Sequence, residues 1–291
     1  MVIVELSSGL GNQLFQYAAA RSLALQLGYN LIIDNHIFLE DHYRQPKICY
    51  FNITASFVIP NKKSAHVMFN KTLRLFFHKS KNIEEVEWWN IAPFDITDLV
   101  KSKIIKIKGG WASYNYFNQY ADIIKKELYV KHRYTKNITT ILSNISVSNS
   151  VAVHIRKGDY VQSAEAKKIF YELTADYYHK AIHFIDSKIK DPIFYIFSND
   201  MDWVKDNFKR QIKQKCIYIS EQYKLQDYEE FELMRNCKHQ IIANSTFSWW
   251  AAFLNPNTNK IIVQPQRWYN HKPAQHNYEN GQLLGKLGLL I

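Results

Sequence analysis

The segment HIRKGDY at 154 to 160, directly after the apolar run Val151-Ala152-Val153, puts a permanent cation, Arg156, at the end of a predicted strand. A guanidinium is a rigid fork of donors that meets two oxygens at once, so an arginine so placed suits a phosphate or diphosphate. The same residues also describe an ordinary turn, with Gly158 free in φ and Asp159 holding the turn backbone, and the segment alone fits both readings. Two further sets of polar residues close apolar runs: Ser198, Asn199 and Asp200 after IFYIF, and Asn244, Ser245 and Thr246 ahead of the helical segment STFSWWAAFLN. Backbone N–H groups and hydroxyls at a helix start receive phosphate. A plain N-cap at Ser245 or Thr246 explains the same residues. Asp200 and Asp202 have the spacing of a carboxylate pair that holds Mg²⁺ or Mn²⁺ against a nucleotide sugar, and Asp202 equally suits a helix cap. GLGNQ at 9 to 13 is half of a dinucleotide fingerprint, but Leu14 stands where its last glycine belongs, so no NAD site is expected.

These residues need elements to hold them. VIVEL at 2 to 6 predicts a buried strand, SSGLG a turn, Asn12 to Leu27 a helix and LIID at 31 to 34 a second strand, which together open an α/β unit. IIKIKGG around 104 to 110 is the next strand. The polar stretch TKNITTILSNISVSNS reads as a helix edge and linker, with a lobe boundary near residue 148. Beyond it, strands at 151–155, 193–198, 216–220 and 241–244 and the run KIIVQP alternate with helices at 171–186, 202–209, 228–237 and in STFSWWAAFLN. That alternation predicts a mainly parallel sheet covered by helices, and in such a sheet ligands sit beyond the C-terminal strand ends. The rule gathers His154, Arg156, Gly158 and Asp159 with Ser198, Asn199, Asp200, Asn244, Ser245 and Thr246.

The 291 residues, 47% of them apolar, favour two lobes, 1–148 and 149–291, over one. Three widely spaced cysteines, Cys49, Cys216 and Cys237, indicate neither a disulfide scaffold nor a clustered metal site, and fit a reducing compartment. No apolar run reaches membrane-span length and no basic leader precedes the first strand, so a soluble, cytoplasmic protein is expected. The net charge of +11 is uneven: no acidic residue lies between His42 and Ile83, while eight basic ones do. Such a field attracts nucleic acid, anionic lipid or a phosphorylated substrate. Phe69, Leu73, Phe76 and Phe77 share one face of a helix within it, suited either to an interface or to a core.

Five segments in order, GLGNQLFQYAAARSLA at 9 to 24, GGWASYNYF at 109 to 117, VHIRKGDYV at 153 to 161, YIFSNDMDWVKDNF at 195 to 208 and ELMRNCKHQIIANSTFSWWAAFLN at 232 to 255, resemble the inverting α-1,2-fucosyltransferases of bacterial glycan synthesis. Ser8 and Ala251 depart from the family, which more often has glycine at both positions. The resemblance implies two Rossmann-like lobes of the glycosyltransferase B type, with the nucleotide site mainly in the C-terminal lobe and the acceptor side in the N-terminal lobe. It implies GDP-L-fucose as donor and no metal. Arg156 would hold the diphosphate with Ser245 and Thr246 as neutral donors, His154 would stand near the nucleotide, and Asn12 would reach the cleft from the N-terminal lobe. The product so implied would be an α-1,2 linkage to a terminal β-galactoside in an oligosaccharide or surface glycan, as in O-antigen synthesis.

Asp159 is the first candidate for general base, with orienting Arg156 or bracing Gly158 as its other readings. Glu229 and Glu230 are nucleotide-side carboxylates that would accept from guanine N–H groups or ribose hydroxyls. Trp111, Tyr114 and Tyr116 offer either sugar platforms or lobe core. The competing functions are a metal-dependent transferase using Asp200 and Asp202, and a basic nucleic-acid-binding protein, for which weak, nonspecific binding is the expectation. An anionic, lipid-linked acceptor would give the basic region a use in peripheral contact with the inner membrane surface.

Overall fold

The computed structural model describes residues 1–40, 44–58, 83–88, 103–131, 134–158 and 163–291. Most of the basic region from 42 to 83, including its four aromatic and aliphatic helix-face residues, lies outside them, as does Asp159.

The chain divides into two compact units, Met1–Lys131 and His132–Ile291. In the first, β1 (Val2–Glu5), β2 (Leu31–Asp34), β3 (Ser56–Phe57), β4 (Ile83–Trp88) and β5 (Ile104–Gly109) form an all-parallel sheet in the order β3-β2-β1-β5-β4. Helix α1 (Leu10–Leu27) is buried along most of its length, and a short α2 (Ala121–Glu127) closes the unit. The two helices are joined by Arg21, which donates through Nε and Nη2 to the Glu127 carboxylate, and by the Tyr17 hydroxyl at 2.6 Å from Glu127 Oε2. β4, with its exposed glutamates Glu85 and Glu87, gives no alternating apolar signal and was not expected from sequence.

The second unit carries α3 (Lys136–Val147), β6 (Asn149–Ile155), α4 (Ala164–Ile169), α5 (Ala175–Lys188), β7 (Pro192–Ser198), α6 (Met201–Asn207), β8 (Cys216–Tyr218), α7 (Ile219–Gln222), α8 (Asp227–Asn236), β9 (His239–Ile241), α9 (Thr246–Phe253), β10 (Ile262–Gln264), α10 (Lys272–Glu279) and β11 (Leu289–Leu290). Its sheet is again all parallel, in the order β11-β10-β9-β6-β7-β8. Counted from β6 this is 3-2-1-4-5-6, the doubly wound Rossmann order, and its direction reverses between β6 and β9. The expected linker before β6 is helix α3, capped by Thr135 and buried through Ile138, Ile141 and Ile145. It packs against α8 and β6, so the division between units falls at 131/132 instead of near 148.

Strand alternation decides what β6 presents. Val151, Val153 and Ile155 enter the core shared with Tyr177, Tyr178, Ile182, Ile185 and Phe208, on the side of α5 and α6. Ala152 and His154 face the other side, where His154 meets Phe247 of α9. Among the described residues no helix is long and apolar enough to cross a membrane.

Candidate active site

Arg156 leaves the end of β6 at the point where the sheet reverses direction. Continuing the alternation, it falls on the side of His154 and α9, and its charge is felt by the His154 ring. His154 is 4% exposed, packs on Phe247 at 5.7 Å between ring centroids, and its buried Nδ1 has no hydrogen-bond partner. Burial first, and the Arg156 charge second, push its pKa down to about 3, so the imidazole is neutral near pH 7.

The neighbouring strand β9 leads into Asn244, Ser245 and the start of α9. Ser245 holds the N-cap position in extended backbone but makes no side-chain cap bond, and α9 has no acidic residue in its first turn. The helix end facing the switch point therefore keeps its partial positive charge. Asn244 is turned inward: its amide donates to Tyr171 O at 2.6 Å and Trp268 O at 3.0 Å, bracing the loop that precedes α9.

On the other side of β6, Ile155 pairs in register with Ser198 of β7. The Ser198 N–H donates to Ser220 Oγ at 3.1 Å, and Ser220 donates to Glu230 Oε1 at 2.8 Å. Burial, reinforced by Asp227 and opposed by the Ser220 bond, raises Glu230 to about 7, which makes it a carboxyl poised between acceptor and donor. Glu229 points elsewhere. Its Oε2 accepts from the Gln226 N–H at 2.8 Å in a capping box at the start of α8, a role in folding the helix.

Asp200 and Asp202 do not converge. Asp200 caps α6 by accepting from the Trp203 N–H at 2.9 Å, and the Asp202 side chain is 96% exposed with Lys205 3.9 Å away. Among the described residues the one set of three groups close enough for an ion is Glu5, Asp34 and His36 in the first unit, and Lys106 already bridges its two carboxylates at 2.9 and 3.2 Å.

In the first unit, α1 begins at Leu10, two residues earlier than its pattern predicts, so Asn12 stands in the first turn and is partly exposed. The glutamines beside it are structural. Gln13 donates to Ser8 O and Gln45 O, and Gln16 donates to Gly109 O and Ser7 Oγ, tying the turn after β1 to the end of β5. Ser8 adopts φ 65, a left-handed conformation, which explains why glycine is usual at this position in the family it resembles. Trp111 is fully buried, donates to Lys108 O at 2.6 Å and meets Tyr116 edge-on, so it is core; Tyr114 and Tyr116 stay partly exposed.

Lys157 and Ser220 carry no motif of their own, and Asn199, named with the strand-end set, has a partner that its position does not predict. Lys157 is buried, Asn199 Oδ1 accepts its N–H at 3.0 Å, and Ser220 relays β7 to Glu230. The alternation of β6 carries a signal for the first: a position odd in number like Val153 and Ile155 points into the core. The other two are contacts between loops far apart in sequence, which no local pattern encodes.

The glycosyl transferase family 11 profile matches residues 1–282. The chain is 29% identical over 288 residues to the O-antigen biosynthesis glycosyltransferase WbnK of Escherichia coli, covering 91% of this chain and 93% of that protein. It is 30% identical over 282 residues to an alpha-1,2-colitosyltransferase of Escherichia coli, covering 94% and 93%. A galactoside alpha-(1,2)-fucosyltransferase 1 of Aotus azarae is 24% identical over 84% of this chain and 62% of that protein. Two solved structures share the fold at 11% identity and TM-score 0.54: Arabidopsis thaliana FUT1, solved as a mutant with GDP (90% of this chain, 69% of that one), and POFUT1 with GDP-fucose (90% and 97%). With two parallel-sheet α/β units and a family profile that runs nearly end to end, the chain belongs to glycosyl transferase family 11.

Proposed function

We propose that this chain is an inverting α-1,2-fucosyltransferase that moves L-fucose from GDP-β-L-fucose to the 2-hydroxyl of a terminal β-galactoside, without a metal. One observation carries the reading: Arg156 stands at the reversal point between β6 and β9, on the side of an α9 N-terminus that has no acidic residue to neutralise it. A diphosphate is the ligand such a pair suits.

In the proposed reaction the acceptor oxygen bonds to the anomeric carbon from the face opposite the diphosphate. The bond from that carbon to the phosphate oxygen breaks, its electron pair leaves with GDP, and the hydroxyl proton passes to a base, with Asp159 as candidate. Charge then develops on the β-phosphate, where Arg156 and the Ser245 and Thr246 groups meet it with little rearrangement. Neutral, buried His154 takes no proton near pH 7 and serves to wall the nucleotide pocket. Glu230 faces guanine N–H groups or ribose hydroxyls, while Glu229 and Asn244 support the site from behind. The N-terminal unit, through Asn12, Tyr114 and Tyr116, receives the acceptor.

The test is incubation with GDP-L-fucose in excess chelator, with and without a panel of β-galactosides that includes lipid-linked ones, measuring GDP release and product linkage. Acceptor-dependent release with an α-1,2 linkage supports the reading. Absence of release across the panel refutes the fucosyl donor. A nucleotide-activated colitose is the second donor to run, because the 30% identical Escherichia coli relative is an alpha-1,2-colitosyltransferase.

A further inference from the structure

We infer that Lys157 is a positioning residue for Arg156: it locks the backbone beyond β6 so that the point from which the guanidinium reaches out is already set before the donor arrives. The inference rests on the donor reading above. The Lys157 side chain is 2% exposed, which is unusual for a strongly hydrated ammonium, and three partners surround Nζ. It donates to Leu173 O at 2.6 Å and Glu172 Oε1 at 3.0 Å, and it lies 4.2 Å from the centroid of the Trp203 ring. The Lys157 N–H donates to Asn199 Oδ1 at 3.0 Å. Gly158 follows with the Asn199 amide directly over it, so close that a Cβ would come within 2.2 Å of Nδ2.

Filling the core would need only an apolar side chain at 157, since Leu or Met of similar length carries no desolvation cost. What the ammonium adds is direction. Its donors tie the turn to the Leu173 carbonyl and the Glu172 carboxylate on the α5 side, the N–H ties it to Asn199 just after β7, and Ile155 is paired in the sheet. Arg156 is therefore fixed on both flanks, and only its own side-chain torsions remain to be set on binding. Such fixing matters for a fork that must meet two oxygens at once, and much less for contacts made by the nucleoside.

The experiment compares GDP and guanosine affinities by calorimetry for the wild type, Lys157→Met, Lys157→Arg, Arg156→Ala and the Arg156→Ala/Lys157→Met double variant, with circular dichroism to check folding. Lys157→Met is expected to weaken GDP about tenfold or more, the loss of a well-aimed charge-assisted contact, while guanosine changes less than about twofold. Lys157→Arg, which can still stack on Trp203 and donate to Leu173 O, is expected to recover most of that loss. In the Arg156→Ala background Lys157→Met should add nothing. If Lys157→Met does not fold, Trp203→Leu, which removes only the ring contact, is expected to weaken GDP more than guanosine. An unchanged ratio of GDP to guanosine affinity, or equal losses with and without Arg156, overturns the inference. A wild-type chain that binds neither ligand overturns the donor reading instead.

Discussion

Position 158 must be glycine, and the partner that enforces it is Asn199. A Cβ built on Gly158 lies 2.2 Å from Asn199 Nδ2 and 3.1 Å from its Cγ. Ordinary carbon contacts are about 3.5 Å, so in Gly158→Ala the amide must retreat by roughly 1 Å. It cannot do so freely, because Oδ1 of the same amide accepts the Lys157 N–H. Displacing it sacrifices that bond, about 1–2 kcal/mol when the donor is left partly buried, and adds overpacking of about 1–3 kcal/mol. Gly158→Ala should therefore destabilise the second unit by about 3 kcal/mol. Asn199→Ala loses only the bond, about 1–2 kcal/mol. In the double variant the alanine methyl has nothing to strike, so its cost should stay near that of Asn199→Ala alone, below the sum of the two by about 2 kcal/mol or more. Urea unfolding of the four proteins, followed by tryptophan fluorescence, measures the cycle. Additive single and double losses, within about 0.5 kcal/mol, would show that Asn199 is not what excludes a side chain at 158.

Arg156→Lys keeps the charge and loses the fork, so turnover should fall by at least about a hundredfold with the fold intact by circular dichroism; near-wild-type turnover would remove Arg156 from the diphosphate. Glu230 binds its proton more tightly folded than unfolded, so its contribution to stability is complete below its ordinary value near 4.5 and is lost as pH rises toward 7. Glu230→Gln should thus gain up to about 3 kcal/mol over wild type at pH 8 and little at pH 4.5, read as melting-temperature differences across pH; a difference that does not vary with pH refutes the raised pKa. His154 acts in the opposite sense, its neutral folded form losing stability as pH falls below 6.5 toward 3, which is why the variant difference and not the wild-type profile isolates Glu230. Ser8→Gly should stabilise the first unit by about 0.5–1 kcal/mol by relieving φ 65, seen as a rise in its unfolding midpoint. Asp202→Asn and excess chelator should both leave turnover unchanged; loss of activity in either would restore a metal to the reaction.

The alternation of strands and helices in the second half is local chemistry, and it was legible: β-branched and aromatic runs such as VAVHI and IFYIF form β6 and β7 where the pattern puts them. The helix α3 was obscured because Thr, Ser and Asn fill its exposed face, leaving only Ile138, Ile141 and Ile145 to mark the buried one. β4 escaped for the converse reason, since its neighbour β5 and not its own side chains sets its place. Arg156, Ser245 and Thr246 stand where their place after apolar runs puts them, just beyond β6 and at the start of α9. Glu229 was not separable from Glu230 by sequence, because a carboxylate that caps its own helix and one that accepts from Ser220 differ only in which way the first turn of α8 faces.

The two units share a plan yet differ in charge where it counts. At the strand ends of the first unit, Glu5 and Asp34 face a single Lys106, which bridges both, and His36 hydrogen-bonds Asp34 at 2.6 Å. Burial alone would raise the Asp34 carboxyl, but His36 and Lys106 outweigh it and hold it below the ordinary range, so this end of the sheet carries fixed negative charge matched by its own cation. A diphosphate brought there would meet two carboxylates at close range. At the corresponding end of the second unit Arg156 and Lys157 stand side by side in sequence, and alternation sends them to opposite sides of the sheet. The buried one is held by Leu173, Glu172 and Trp203, and the other lies on the side of α9. That division of labour argues for the anionic half of the donor on the second unit, and for a neutral, hydroxyl-bearing acceptor on the first, where paired charges and partly exposed tyrosines offer hydrogen bonds without a net cation.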